Sequence, residues 1–235
     1  MKGVWGVLWP GVKRLSERTD AGIALTPDQE RAIMDAAARN RSKLIYPYLM
    51  TLAWTGIRAD EARMLKWEQV DFETGHITVG RSKTAAGAGR SIPIAGPLRM
   101  ALERHAGWVA GILGPIKQDW YVFPMSNRGR PVDPLQPALS LKTAWGTVRE
   151  TAKVTCRLHD LRHGFATKLG EAGIPEAVML DMMGHVSPSM LRRYSHIRVE
   201  ARKEAIAALE ARHVGVPKES PKVSKAGLRK PSVTC

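Results

Sequence analysis

The chain has 235 residues, 44% hydrophobic and 25% charged, the balance of an ordinary soluble globule with room for one large domain or two small ones. Lys plus Arg is 36 against 22 Asp plus Glu, a formal net charge of +14. That surplus favours a polyanionic partner, through counterion release, over a basic surface kept only for solubility. Two cysteines, Cys156 and the last residue Cys235, exclude a disulfide framework and suit a reducing cytosol, and no apolar run reaches the roughly 18 residues that span a bilayer.

In chain order, MKGVWGVLWPGVKRL has a short apolar stretch that Pro10 interrupts, and no small-x-small cleavage site follows. It reads as the remnant of an upstream element rather than a signal peptide, and residues 1–24 as that remnant with a linker. LTPDQERAIMDAA opens a helix, with Thr26 as N-cap, Pro27 at the first helical position and Gln29 completing a capping box. LIYPYLMTLAWTG is a buried apolar helix that Gly56 can end, and IRADEARML starts another. HITVG and RSIPI are expected strands of a hairpin with AAGAG at its tip. PLRMALERHAGWV returns to helix, followed by a loop-rich stretch with one short strand at YVF. From Leu141 the pattern is helical in LKTAWGTVRETAKV, HDLRHGFATKLGEAG, PEAVMLDMMG, SPSMLRRYSH and EARKEAIAALEARH. The last residues, 214–235, are rich in Pro, Ser and Lys and read as a basic solvated tail. The expected organisation is thus one domain over 25–213, mainly α with a small antiparallel β-sheet.

The chemistry concentrates in a few short stretches. In HDLRH, positions three and four apart share a helix face, so His159, Arg162 and His163 point roughly the same way, while Leu158, Leu161 and Phe165 can face the core. A guanidinium flanked by imidazoles suits a phosphodiester oxygen, because its fork of donors matches phosphate geometry. The spacing of His159 and His163, with Cys156 one turn earlier, is also that of zinc ligands. Asp160 in place of the zincin glutamate and a fixed cation at Arg162 weigh against a metal. In TGIRADE, Glu61 lies three residues after Arg58 and can orient its guanidinium. RSKT puts Lys83 just before a glycine-rich hairpin tip, and MMGHVSPSMLRRYSH puts His185 in a turn and Tyr194 among Arg192, Arg193 and His196. A tyrosine hydroxyl held beside arginines is a potential nucleophile toward phosphorus.

Taken in order, TGIRADE, SKT, HDLRH, MGHVS and RRYSH resemble the catalytic domain of the tyrosine recombinases, the phage-integrase family, from about Leu25 to about His213. The resemblance implies the α+β fold of those DNA breaking-rejoining enzymes. It implies that Arg58 and Arg162 bind the nonbridging oxygens of the scissile phosphate and that Lys83 protonates the leaving 5′-oxygen. It further implies that His159 supports the phosphate and handles protons, that His185 donates a hydrogen bond to it, and that Tyr194 is the nucleophile. Glu61 and His163 fall in as buttresses. MGH in place of the commoner LGH, Asp60 in place of a small or apolar residue, and Gly164 in place of Ser or Thr are mild departures that remove no catalytic group.

The implied partner is double-stranded DNA, bound by a homo-oligomer, expected to be a tetramer, of a protein that is mainly monomeric when free. No cofactor and no metal is expected, since no ATP or nicotinamide motif occurs, and neither is a membrane. The expected location is cytoplasmic, in a bacterial or phage-derived setting. Such proteins usually carry an upstream clamp domain, so the expectation here is a nearly bare catalytic domain, truncated or naturally minimal. The main rival is a DNA-binding module without chemistry, with HGFATKLGEAGIPEAVMLDMMG as helix–turn–helix. Arg58, Lys83 and Tyr194 argue against it, because a reader of DNA does not need all three. A type IB topoisomerase shares the chemistry, but the chain is short for enclosing a duplex. A catalytically idle homologue is the remaining alternative.

Overall fold

The computed structural model describes residues 24–80, 88–126 and 131–184, together with four helical residues, 206–207 and 209–210. Helix α1 (Pro27–Ala38) begins at the capping box read from the sequence: the Thr26 side chain accepts from the Gln29 N–H and Gln29 Oε1 accepts from the Thr26 N–H. Each such bond satisfies a backbone donor that the helix start leaves open. Helix α2 (Ile45–Thr55) is apolar all round, and burial of most of its side chains makes it the centre of the fold. Its two buried threonine hydroxyls donate to the helix backbone, Thr51 to Pro47 O and Thr55 to Thr51 O. Tyr48 donates to Ala59 O at 2.9 Å and so fixes how the next segment leaves α2.

Gly56 ends α2 in the left-handed region, at φ 62°. A Cβ there would overlap the Phe165 ring, so both the backbone angle and the neighbour demand glycine. Helix α3 (Ala59–Arg63) is shorter than IRADEARML suggests, because Met64 leaves the helical run and a 3₁₀ turn follows at Trp67–Gln69. Strands β1 (Val70–Asp71), β2 (His76–Thr78) and β3 (Ser91–Pro93) form an antiparallel sheet in the order β1-β2-β3, with Val70, Ile77 and Ile92 in register on its buried face.

Helix α4 (Gly96–Leu113) packs on α2. The strand expected at YVF lies further on. Tyr121, itself outside any strand, bridges to Lys66 and its N–H donates to Pro134 O at 2.9 Å, and the pairing strand is β4 (Pro124–Met125), antiparallel to β5 (Asp133–Pro137). Strand β5 falls in a stretch that reads as loop, since DPLQP has two prolines and no β-branched residue; it survives as one edge of a two-stranded ribbon. Helix α5 (Lys142–Ala152) packs on α1, and α6 (Leu158–Glu171) packs on α2. A turn with Gly173 at φ 70° leads to α7 (Glu176–Met183), whose Met179 and Met183 bury against Phe165 and Ala166 in a small core of their own. The α6–turn–α7 pair thus has the connectivity of the rival helix–turn–helix reading. The AAGAG tip up to Gly87, the SPSMLRRYSH helix, residues 1–23 and the 214–235 tail lie outside the described residues. Among the described residues no helix is long and apolar enough to cross a membrane.

His105 of α4 is buried beneath Trp67, Trp108 and Phe123, with ring centroids 5.5–6.0 Å away, and its Nε2 bonds Val122 O at 2.6 Å. Burial lowers its pKa to about 4, against the opposing pull of the Val122 carbonyl. The unfolded chain therefore takes up a proton near pH 6.5 that the folded chain refuses. Stability conferred by the neutral ring is fully present above that pH and drains away as pH falls toward 4, by roughly 3 kcal/mol in all. Urea unfolding from pH 7 to pH 4 is expected to show this slope in the wild type and to lose it in His105→Gln.

Candidate functional site

Arg58 is the N-cap of α3, held extended at φ −71°, ψ 151° just after the turn at Gly56. Glu61 reaches back to it. Its Oε2 accepts from the Arg58 backbone N–H at 2.9 Å, and its Oε1 accepts from Arg58 Nη1 at 2.8 Å. The same carboxylate accepts a second guanidinium, that of Arg90, from Nη2 to Oε2 at 2.5 Å. Arg90 stands just before β3, paired with Val79, and its Nε donates to Met182 O at the end of α7, 3.0 Å away. The Glu61 side chain is 4% exposed and that of Arg90 3%, whereas Arg58 is 24% exposed. Of the two described cations on this carboxylate, Arg58 is therefore the more exposed.

Arg162 enters from α6, buried. Its Nη1 donates to Gly56 O and its Nη2 to Met183 O, the latter at 2.8 Å. Both carbonyls belong to helix C-termini, where unpaired carbonyls concentrate partial negative charge. Burial, and then the neighbouring Arg58, bring the Arg162 pKa down to about 10, with Glu61 opposing and Arg90 adding. Arg162 is still a cation at neutral pH. His159 and His163, one turn apart, meet edge to face with centroids 4.9 Å apart. Partial burial, and then Arg162, hold the His159 pKa below the ordinary histidine value; Arg157 and Arg58 push the same way and Asp160 opposes. A neutral, half-buried imidazole beside guanidinia can accept a proton or donate one to an anion. Asp160 starts α6 by accepting from the Arg157 N–H at 2.7 Å and from its guanidinium at 3.2 Å.

The zinc alternative gains nothing from this geometry. Cys156 is buried, and burial, with Asp160 second and Arg149 opposing, raises its thiol to about 11. Among the described residues no three His, Cys, Asp or Glu are grouped to hold a metal ion.

Arg58, Glu61, His159, Arg162 and His163 are thus gathered where the ends of α2 and α7 meet the starts of α3 and α6. Lys83, His185 and Tyr194 lie outside the described residues; in sequence Lys83 falls between β2 and β3, and His185 directly follows Gly184, which ends α7. Two members of the cluster do not emerge from the sequence motifs. Arg90 is visible as part of RSIPI, and the two-residue period of a strand puts it on the buried face with Ile92. Asp160, in sequence a departure from the zinc motif, is in the structure the capping partner of Arg157.

The signature of the phage integrase family matches residues 24–201. The chain is 32% identical over 187 residues to the tyrosine recombinase XerA of Pyrococcus horikoshii, an alignment that covers 78% of this chain and 60% of that protein. Among solved structures it resembles the catalytic domain of bacteriophage HP1 integrase, with a TM-score of 0.54 at 19% identity over 79% of this chain and 94% of that one. It also resembles the Tn1549 transposon integrase solved in complex with transposon right end DNA, with a TM-score of 0.63 at 21% identity over 82% and 69%. The chain belongs to the phage integrase family, with the α+β fold of a tyrosine recombinase catalytic domain. It spans about 60% of the length of the XerA relative.

The double carbonyl grip of Arg162 gives a test of the site's scaffold. Lysine keeps the charge but lacks the fork that reaches two divergent carbonyls. Arg162→Lys is expected to lower stability by about 2 kcal/mol, the worth of one charged hydrogen bond. It should also speed amide exchange in α7 more than in α1, read by urea unfolding and hydrogen-exchange mass spectrometry.

Proposed function

We propose that this protein is a site-specific DNA recombinase that cuts and rejoins DNA through a 3′-phosphotyrosyl intermediate, in integration, excision or inversion. The observation that carries the reading is the pair of arginines, Arg58 partly open and bonded to Glu61, Arg162 buried on two helix-end carbonyls, with His159 in the field of both, in a chain of the phage integrase family. A phosphodiester resists attack because it is anionic and its alkoxide leaves poorly. Arg58 and Arg162 offset the charge that grows on the nonbridging oxygens, and His159 and His185 supply hydrogen bonds. Glu61 and His163 buttress. The Tyr194 oxygen attacks phosphorus and passes its proton to the neutral His159 imidazole, the bond to the 5′-oxygen breaks, and Lys83 supplies the proton that oxygen needs. One phosphodiester is exchanged for another, so the step requires no nucleotide and no metal. A 5′-hydroxyl from a partner duplex reverses it and completes strand exchange.

The relatives support the choice of substrate: one is called a tyrosine recombinase, and a structural neighbour holds transposon DNA. The excess of 14 positive charges suits duplex DNA as well. We take 25–213 as the catalytic unit, 1–24 as linker and 214–235 as a basic tail. The substrate site can be selected directly from random sequence. The chain is incubated with a pool of randomised duplexes nicked so that the cut 5′ fragment diffuses away, and DNA that stays on the protein through detergent and phenol is sequenced. Wild type is expected to enrich one site, and Tyr194→Phe to bind that duplex but give no adduct. Lys83→Ala is expected to slow cleavage by about 100-fold and to recover on a 5′-bridging sulfur substrate, whose thiolate leaves without a proton. Adduct from the Phe variant, or no adduct from any duplex, overturns the reading.

Assembly on DNA as a tetramer, from a protein that is monomeric when free, is part of the same reading. Among the four described helical residues near the C-terminus Ile206 is 56% exposed and Leu209 52%, an apolar pair at helical spacing that suits docking on a neighbouring protomer. Deleting the chain after Val199 is expected to leave the melting transition in place and abolish exchange between duplexes. Collapse of the melt on deletion assigns the pair to its own core.

A further inference from the structure

We propose that Arg90 is a positioning residue that occupies the charge of Glu61, so that the Arg58 guanidinium stays available to an anionic oxygen. The proposal rests on the reading of the site as one that grips phosphate. Glu61 with Arg58 alone is a closed pair whose charges sum to zero beside the place where an anion must bind. With Arg90 on the same carboxylate the sum is +1, and Arg162 raises it further. Arg90 cannot substitute for Arg58 as a ligand, because its side chain is 3% exposed and its Nε is committed to Met182 O. Its bonds divide the work on the carboxylate. Arg90 takes Oε2 from the interior side, and Oε1 holds the Arg58 Nη1 on the side open to solvent.

The anchoring is specific as well. Met182 O receives Arg90 and the next carbonyl, Met183 O, receives Arg162, so the last turn of α7 fixes both buried guanidinia. Arg90 also stands at the base of the hairpin formed by β2 and β3, its carbonyl accepting from the Val79 N–H at 2.9 Å, with Lys83 in the intervening sequence. One side chain thereby ties the strand base, the α3 carboxylate and the α7 terminus.

The test uses the full chain as wild type, Arg90→Gln, Arg90→Lys and the double variant Glu61→Gln with Arg90→Gln, each checked by thermal melting. The first readout needs no catalysis: phenylglyoxal modification of Arg58, followed by peptide mass spectrometry across a titration of inorganic phosphate. Loss of one charge from the cluster should raise the phosphate concentration that half-protects Arg58 by about tenfold in Arg90→Gln and by under about threefold in Arg90→Lys. The double variant keeps the cluster's net charge and leaves no lone buried carboxylate, so it should return to within about threefold of wild type. It therefore also carries the test where Arg90→Gln does not fold. Equal protection in wild type and Arg90→Gln, or a tenfold loss in the double variant, overturns the proposal. The second readout is the rate of adduct formation on the selected duplex, with either a phosphodiester or a neutral methylphosphonate at the cleaved position. Arg90→Gln should slow the first by about tenfold and the second far less, since the neutral group offers Arg58 no anionic oxygen. Equal slowing of both makes Arg90 a scaffold residue only and overturns it. Absence of adduct on every duplex, with phosphate protection shifting as stated, sinks the recombinase reading and leaves the role of Arg90 standing.

Discussion

Glu61 places a carboxylate in the interior, and a charge there survives only when every lone pair finds a donor. Among the described residues its donors include the Arg58 backbone, the Arg58 guanidinium and Arg90. Through them three segments distant in sequence are fixed: the turn after α2, the strand before α4, and, by way of the Met182 carbonyl, the end of α7. Removing one partner from such a group costs about 3–5 kcal/mol, so the carboxylate and its cations form and fail together.

The surroundings show why like charges can crowd here. Arg58, Arg90 and Arg162 repel one another, and the pKa of Arg162, depressed by burial and by Arg58, registers that strain. Two helix ends help to balance it. The Gly56 and Met183 carbonyls terminate α2 and α7 and bring the negative ends of both helices to Arg162. The site thus holds a surplus of positive charge that reaches solvent at Arg58, which is the condition an anionic ligand exploits. Gly56 makes the approach possible, since a side chain at its left-handed φ would run into Phe165.

Much of this was legible from residues alone. The Thr26–Gln29 cap, the apolar run of α2 with its glycine stop, and the i, i+3 and i, i+4 spacings around HDLRH encode local geometry directly, and the structure follows them. The pairing of Glu61 with Arg58 was legible for the same reason. Arg90 was not, because its partner is 29 residues away and its other contact 92, and no local pattern reports a contact of that range. Strand β5 was hidden because its prolines argue against a strand, while the ribbon needs only one hydrogen-bonding edge. The α6–α7 turn matches a helix–turn–helix pattern because a short glycine turn between helices serves many ends; the chemistry at the start of α6 is what sets this one apart.

Arg162 has one further consequence, and it concerns the order in which the molecule is made. The Gly56 carbonyl lies 106 residues before it and the Met183 carbonyl 21 residues after it. A chain still on the ribosome with α7 untranslated has α2 and the carboxylate of α3 but cannot close this grip. The cationic cradle is therefore complete only after α7 has emerged. Nascent or prematurely terminated products that lack α7 carry the basic charge without the second carbonyl that holds Arg162.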